Sequence, residues 1–214
     1  MNKPFGTFVC AVIFLLLTLQ QNASAQQYEI LDSSIQPLSI KICATCHGSY
    51  GHGNSVIGGP SLAGLEPWYL RKQLQNFRSQ YRGTQSDYLP AFEMRASVDK
   101  LSDAEIETLV ASIQNWEPKK PMATISGDSN HGAELYASCA ACHGVSGEGN
   151  ELLGAPGLAG RDDWYMLRQL NLFKSGYRGS HPDDIGGAQM RIGMQALETE
   201  QDINDVLAYI NTLN

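Results

Sequence analysis

Apolar residues recur at helical spacing in both halves of the chain. One stripe is formed by four residues at positions i, i+4, i+7 and i+11, namely Leu70, Leu74, Phe77 and Tyr81. This spacing places them on one face of a helix that starts at Trp68, and a similar helix starts at Trp164. No alternating pattern of useful strand length appears. The sequence therefore predicts an all-α fold.

Two more helices are predicted in each half. Ser102 is followed three residues later by Glu105, which is a capping-box pattern at the start of a helix. Thr199 and Asp202 start the equivalent helix in the second half. The predicted inner faces are Ile106, Leu109, Val110 and Ile113 in the first helix and Ile203, Val206, Leu207 and Ile210 in the second. A further helix, at roughly 36–46 and 131–142, leads into a cysteine motif in each half.

The two halves are copies of one unit. Residues 43–83 align with 139–179 without a gap, and 22 of the 41 positions are identical at an offset of 96. So much identity indicates an internal duplication. The segment "NWEPKKPMATISGDS" lies between the copies and is typical of a linker, because it is rich in proline, lysine and small polar residues. We call the two copies the first and second repeat.

The N-terminus has the pattern of an export signal. Lys3 precedes the apolar run "FVCAVIFLLLTL", and "ASA" ends at Ala25. We expect a signal peptide at 1–25 that is cleaved after Ala25, a first domain at 26–120 and a second at 121–214. An N-terminal anchor that is retained is the alternative, although the apolar run is shorter than the roughly 20 residues of a membrane span.

Charge is shared unequally between the two predicted domains. The chain has a net charge of −7. Residues 26–120 contain 10 acidic and 9 basic residues, and residues 121–214 contain 12 acidic and 5 basic ones. This balance argues against a nucleic-acid partner and favours a partner with a basic patch facing the second domain. The alternative is that the acidic surface only keeps the domain soluble.

Each repeat carries the motif Cys-x-x-Cys-His. The two copies comprise Cys43, Cys46 and His47, and Cys139, Cys142 and His143. This motif is typical of c-type haem attachment, in which the two thiols bind the haem and the histidine binds its iron. Structural zinc would need four ligands per site, a thioredoxin-like pair would need a βαβ context, and so short a disulfide would stabilise little. The sequence therefore predicts two covalently bound haem c groups.

A methionine is repeated at the offset expected of a second axial ligand. Met94 and Met190 are 96 residues apart, and each is followed by arginine. Met194 is the rival to Met190, but its counterpart Val98 cannot bind iron. Ligation by His52 is a weaker alternative, because this residue closely follows the motif histidine. A lone methionine usually fills a gap in a core, but the repeat favours Met94 and Met190 as iron ligands.

Several separated motifs occur in both repeats: "CHG", a P-x-L-A-G loop, a helix beginning "WY", and a methionine before the last helix. In this combination the chain resembles the dihaem cytochrome c4 family over nearly all of residues 36–214. The resemblance implies two tandem class I cytochrome c domains, each of about three main helices around a covalently attached haem c. It also implies His/Met ligation of both irons. One departure is an extra residue between Met190 and the last helix.

The resemblance further implies roles for residues around each haem. The carbonyls of Pro60 and Pro156 would accept a hydrogen bond from the ring of the motif histidines, which fixes the orientation of an iron-bound ring. Four side chains are candidates for contact with the haem propionates, with packing at helix ends as the alternative: Tyr81, Arg82, Tyr177 and Arg178.

Iron that is closed on both faces can exchange electrons but has no open position for a substrate. We therefore expect a periplasmic one-electron carrier or two-haem relay between respiratory partners, and not an enzyme. Its expected partners are redox proteins such as a terminal oxidase or a dehydrogenase. The alternatives are a cytochrome subunit of a dehydrogenase complex that oxidises sulfide or thiosulfate, and a dihaem peroxidase.

Overall fold

Helices make up most of the described chain. The computed structural model describes residues 38–213, so the predicted signal peptide lies outside the described residues. The helices of the first repeat are α1 (Leu38–His47), α2 (Pro67–Arg78), α3 (Leu89–Val98) and α4 (Asp103–Ile113). Those of the second repeat are α5 (Ser129–His143), α6 (Asp163–Ser175), α7 (Ile185–Gly193) and α8 (Glu200–Ile210), with short 3₁₀ turns at Glu151–Leu153 and Met194–Ala196. The described part contains no β-strand, which confirms the all-α prediction.

The last helix of each repeat begins at the predicted cap. In α4 the Ser102 hydroxyl accepts the Glu105 N–H at 3.3 Å, and the Glu105 carboxylate accepts the Ser102 N–H at 2.8 Å. Thr199 and Asp202 make the same reciprocal pair at the start of α8, at 3.0 and 2.9 Å. All eight predicted inner-face residues of these two helices are buried. These caps and apolar faces fix where α4 and α8 begin and how they pack.

The apolar stripe of α2 is one residue shorter than the sequence predicts. Leu70, Leu74 and Phe77 are buried on α2, but the helix ends at Arg78, so Tyr81 lies outside it. The chain leaves the helix because Gln80 adopts a left-handed backbone conformation with φ of 62°. The equivalent position in the second repeat is Gly176, with φ of 79°. The turn therefore requires a conformation that glycine adopts most easily.

Helices α3 and α7 were not predicted from the pattern of apolar residues. Helix α3 buries only Val98, and α7 contains the helix-disfavouring pair Gly186 and Gly187. The start of α7 is stabilised by Asp184, whose carboxylate accepts the Gly187 N–H at 3.1 Å. Each repeat therefore has a fourth main helix, and this helix carries the methionine that the sequence singles out.

Both repeats belong to one compact unit that begins at Ile42. Contacts between the repeats are often made by residues at equivalent positions. Tyr81 stacks on the His181 ring with 4.3 Å between ring centroids, and the Tyr177 hydroxyl donates to the Asp87 carboxylate. Arg168 donates to the Gly58 carbonyl at 3.1 Å. The two repeats thus pack against each other through polar and aromatic contacts.

Candidate haem centres

The motif histidines lie at the ends of α1 and α5 and are held in the same way. His47 Nδ1 donates to the Pro60 carbonyl at 2.8 Å, and His143 Nδ1 donates to the Pro156 carbonyl at 2.7 Å. The two residues are only 8% and 7% exposed, and burial lowers the pKa of both imidazoles. Each ring is therefore oriented, neutral and, within the described part of the chain, has no hydrogen bond at Nε2. This arrangement suits an iron ligand.

A glycine-rich loop brings each proline to its histidine. The His47 carbonyl accepts the Gly53 N–H at 2.8 Å, and Asn54 and Gly59 then close the loop with a pair of backbone hydrogen bonds. The second repeat forms the same bonds from its own equivalent residues. A Cβ atom on Gly59 would lie 2.1 Å from the Cys46 carbonyl oxygen, whereas the second repeat has Ala155 at this position. The glycines that the two loops share, Gly53 and Gly149, adopt left-handed backbone conformations with φ of 79° and 83°, which glycine adopts most easily.

The four thiols of the motifs are free of disulfides. Cys43 and Cys139 are half-buried, and burial raises the pKa of both thiols. Cys46 and Cys142 are exposed. The described residues also contain no cluster of three or more His, Cys, Asp or Glu side chains that could hold a metal ion by themselves. The zinc alternative therefore lacks a ligand set there, whereas both thiols of each motif can bind a haem.

The structure separates the candidate methionines by position. Met94 lies on α3 and Met190 at the equivalent place on α7, and both side chains are half-buried. The rival Met194 is 3% exposed and lies within the apolar core of the second repeat, whereas Met190 packs against the edge of that core and stays half-buried. The His52 ring already donates to the Glu117 carbonyl through Nε2 at 2.9 Å.

Two arginines are buried between the repeats at equivalent positions. Arg82 and Arg178 are 5% and 7% exposed and lie over the rings of Phe77 and Phe173 at 4.3 and 4.4 Å. Both bind the Gln169 side-chain oxygen, at 3.0 and 2.8 Å. Arg178 also donates to the Tyr69 hydroxyl at 3.0 Å. These glutamine and tyrosine partners were not predicted, although they are identical in the two repeats and could have been found there.

Among the described residues, one carboxylate, that of the buried Asp184, lies close enough for its charge to act on Arg178. No ion pair in the described part of the chain involves Arg82 or Arg178. Burial, and the positive charge of Arg178, lower the pKa of Arg82. The same two positive charges bring the pKa of Tyr69 below its usual value, although burial alone would raise it. A buried cation needs an anion nearby, and the carboxylates of haem propionates have the required charge.

The cysteines, the oriented histidines and the buried arginines fit a haem in each repeat, and the comparisons with known proteins agree. The sequence model described as "Cytochrome c" matches residues 38–116 and again residues 129–214. The chain is 33% identical to the thiosulfate dehydrogenase electron acceptor of Stutzerimonas stutzeri strain A1501 over 84% of each chain. It is 27% identical to cytochrome c4 of Azotobacter vinelandii, over 95% of this chain and 99% of that one.

A solved structure has the same fold. The crystal structure of reduced recombinant cytochrome c4 from Pseudomonas stutzeri superposes with a TM-score of 0.62 at 27% identity, covering 82% of this chain and 95% of the other. The chain therefore belongs to the cytochrome c family, among the dihaem cytochromes c4, as an electron-transfer protein with two covalently bound haem c groups.

Proposed function

We propose that each iron is held by one histidine and one methionine, namely His47 and Met94 in the first repeat and His143 and Met190 in the second. The observation that carries this proposal is the hydrogen bond from each histidine Nδ1 to a proline carbonyl, which leaves Nε2 for iron. The methionine assignment is supported by the equivalent positions of Met94 and Met190 on α3 and α7. The burial of Met194 in the core is the reason to prefer Met190.

A closed pair of ligands suits electron transfer. When bound, haem supplies one-electron exchange between ferric and ferrous iron. The thioether of Met94 or Met190 favours the ferrous state and raises the reduction potential relative to two histidine ligands. Burial of the histidines acts in the same direction by keeping water away. The reduced protein should accordingly bind little carbon monoxide, and stoichiometric binding at either haem would contradict six-coordinate iron.

The domain division that we propose is a signal peptide at 1–25, a first cytochrome c domain at 26–120 and a second at 121–214. It is supported by the two separate matches of the family, 38–116 and 129–214, on either side of residue 120. We also place the protein in the periplasm, on the strength of the signal pattern. None of the helices at 38–213 is long and apolar enough to span a membrane. N-terminal sequencing of the mature protein tests the predicted cleavage after Ala25.

The partners are redox proteins, and we place a dehydrogenase or a terminal oxidase among them. A donor that oxidises thiosulfate is suggested by the name of the 33%-identical relative, a thiosulfate dehydrogenase electron acceptor. The chain would serve that enzyme as a free carrier or as a permanent cytochrome subunit. Co-purification from the native host separates these two arrangements, because only a permanent subunit remains with the dehydrogenase through gel filtration.

The second repeat has the surface expected of a site for a basic partner. The 3₁₀ turn after its haem motif presents Leu152, which is 97% exposed, next to the exposed Glu148 and Glu151. The equivalent turn of the first repeat presents an exposed Val56 but has no acidic residue at the two corresponding positions. An apolar centre with a charged rim is the usual composition of a transient interface. The basic patch of the partner would therefore face the second repeat.

Stopped-flow oxidation by a lysine-rimmed mitochondrial-type cytochrome c tests this assignment. Replacing Glu148 and Glu151 by glutamine should slow the reaction about three- to tenfold at low salt and flatten its dependence on ionic strength. The small oxidant ferricyanide serves as a control for haem integrity. A rate that is already insensitive to salt in the unmodified protein would contradict a basic partner.

A further inference from the structure

Two carboxylates reach from one repeat into the other. Glu66 and Asp162 occupy the N-cap positions of α2 and α6, 96 residues apart. An N-cap carboxylate normally accepts an N–H group of its own helix, but neither of these side chains does so. The Glu66 carboxylate instead accepts the Gly157 N–H at 2.6 Å, and the Asp162 carboxylate accepts the Ser61 N–H at 3.2 Å.

The N–H groups that they bind belong to the peptide groups that hold the motif histidines. The Gly157 N–H is part of the same peptide group as the Pro156 carbonyl, which accepts the hydrogen bond from His143 at 2.7 Å. The peptide bonds of the described residues are all trans, so the N–H and C=O of that group point in opposite directions. A continuous chain therefore runs from the carboxylate of Glu66 through one peptide group to the imidazole of His143.

A second chain of hydrogen bonds leads from a carboxylate of the second repeat to the motif histidine of the first repeat. It connects Asp162, through the Ser61 N–H and the Pro60 carbonyl, to His47 at 2.8 Å. Each histidine is thus linked to a carboxylate of the opposite repeat. The duplication of this arrangement at equivalent positions indicates that it is a property of the repeat and not a chance contact.

A carboxylate at one end of such a chain changes the imidazole at the other end. Its negative charge polarises the peptide group, which makes the carbonyl oxygen a stronger acceptor for the histidine Nδ1–H. A stronger hydrogen bond at Nδ1 makes the ring a more basic ligand through Nε2. A more basic imidazole stabilises ferric iron relative to ferrous iron.

We infer that Glu66 and Asp162 are positioning residues, each of which tunes the haem of the other repeat. Glu66 lowers the reduction potential of the second-repeat haem through His143, and Asp162 lowers that of the first-repeat haem through His47. This inference rests on the proposed histidine ligation. It makes the potential of each haem depend on contact with the neighbouring repeat. Anything that opens the interface would then raise both potentials.

The two chains of hydrogen bonds differ in the contacts that their carboxylates make. Glu66 makes the shorter hydrogen bond, but its other carboxylate oxygen accepts from Arg161 at 3.2 Å. Asp162 takes part in no ion pair among the residues described. A Cβ atom on Gly157 would lie 2.7 Å from the Glu66 carboxylate, so only glycine allows this close approach. The substitution Gly157→Ala can therefore displace the carboxylate without removing its charge.

The test is the potential of each haem in the holoprotein, measured by spectroelectrochemistry with the haems assigned by paramagnetic NMR. We expect Glu66→Gln to raise the equilibrium constant for reduction of the second-repeat haem about three- to tenfold, a tenfold change being 59 mV for one electron. The first-repeat haem should change less than about twofold. Asp162→Asn should give the reverse pattern. Glu107→Gln removes another arginine-paired carboxylate of the first repeat and should move neither haem.

Two further measurements separate the chain of hydrogen bonds from a simple effect of charge. Gly157→Ala should shift the second-repeat haem in the same direction as Glu66→Gln, and it also replaces that variant if the latter fails to fold. The Nδ1–H proton resonance of His143 in the reduced protein should move upfield in both variants, as expected for a weaker hydrogen bond. For both Glu66→Gln and Gly157→Ala, no shift of potential, or a larger shift of the first-repeat haem than of the second-repeat haem, would overturn the inference. If the unmodified protein lacks the spectrum of His/Met-ligated haem, the proposed ligation is refuted instead.

Discussion

Asp163 binds the segment between the repeats to the second repeat through hydrogen bonds. We predict how much stability the second repeat loses when this side chain is removed. This side chain is fully buried and accepts four hydrogen bonds: from Thr124 N–H and hydroxyl, both at 2.6 Å, from Ile125 N–H at 2.8 Å and from Asn211 Nδ2 at 2.9 Å. Asp163→Ala leaves all four donors without this acceptor. Hydrogen bonds to a charged group contribute about 1.5–3 kcal/mol each but are not additive. We expect a loss of about 3–5 kcal/mol in the free energy of unfolding of the second repeat.

Hydrogen exchange of the holoprotein, read by mass spectrometry, measures this loss in each repeat separately. Backbone amides of α8 should exchange at least about a hundredfold faster in Asp163→Ala. Those of α4 should change little, because the first repeat has a proline, Pro67, at the position equivalent to Asp163 and therefore no such carboxylate. The exposed Asp183→Ala is the control for loss of one negative charge. Equal acceleration in both repeats, or none in α8, would refute the reasoning.

The same residue predicts a dependence on pH. Burial would raise the pKa of Asp163, but the hydrogen bonds from Thr124, Ile125 and Asn211 bring it below its ordinary value of 3.8. Its contribution to stability is therefore present above that value and is lost as the pH falls through the lower pKa of the folded state. The stability difference between the unmodified protein and Asp163→Ala should narrow on acidification below about pH 4.

Three other predictions concern residues outside the iron ligands. Gln80→Gly should stabilise the first repeat by about 0.5–1 kcal/mol in urea denaturation, and Gly176→Gln should destabilise the second, because both positions are left-handed; the opposite signs would contradict this view of the turn. Hydrogen bonding to Asp205 raises the pKa of His131 above its ordinary value of 6.5. The free energy of unfolding should therefore fall as the pH rises above 6.5. A His131→Asn variant that keeps this fall would show that His131 is not its cause. Gly59→Ala should lower the haem content of the first repeat, measured by pyridine haemochrome, because the new Cβ would lie 2.1 Å from the Cys46 carbonyl oxygen. Unchanged content would contradict this and show that the first loop accommodates alanine as the second does with Ala155.

The sequence allowed α4 and α8 to be predicted because their signals are local. A cap such as Ser102 with Glu105 and an apolar face such as that of Ile106 and Leu109 need no information from distant residues. Helices α3 and α7 lack such signals. The pair of glycines at 186–187 even disfavours a helix, so α7 depends on packing and on the Asp184 cap. Propensity alone cannot reveal a helix of this kind.

The site was predictable as far as the duplication reaches. The cysteines, histidines and methionines stand out because they recur at one offset. The contacts between the repeats do not follow from that offset, since Glu66 and Gly157 are 91 residues apart and their encounter depends on how the repeats pack. The same holds for the shared position of Arg82 and Arg178 on Gln169. Sequence shows which residues are equivalent, and the structure shows which of them meet.

The central claim is that each repeat holds one haem between the motif histidine and a methionine. It is tested most directly by the sulfur–iron charge-transfer band near the red end of the spectrum of the oxidised protein, with Met94→Ala and Met190→Ala measured separately. We expect each variant to lose about half of the band per chain, and Met194→Leu to keep all of it. A band that survives in both alanine variants, or one that disappears with Met194, would contradict the assignment.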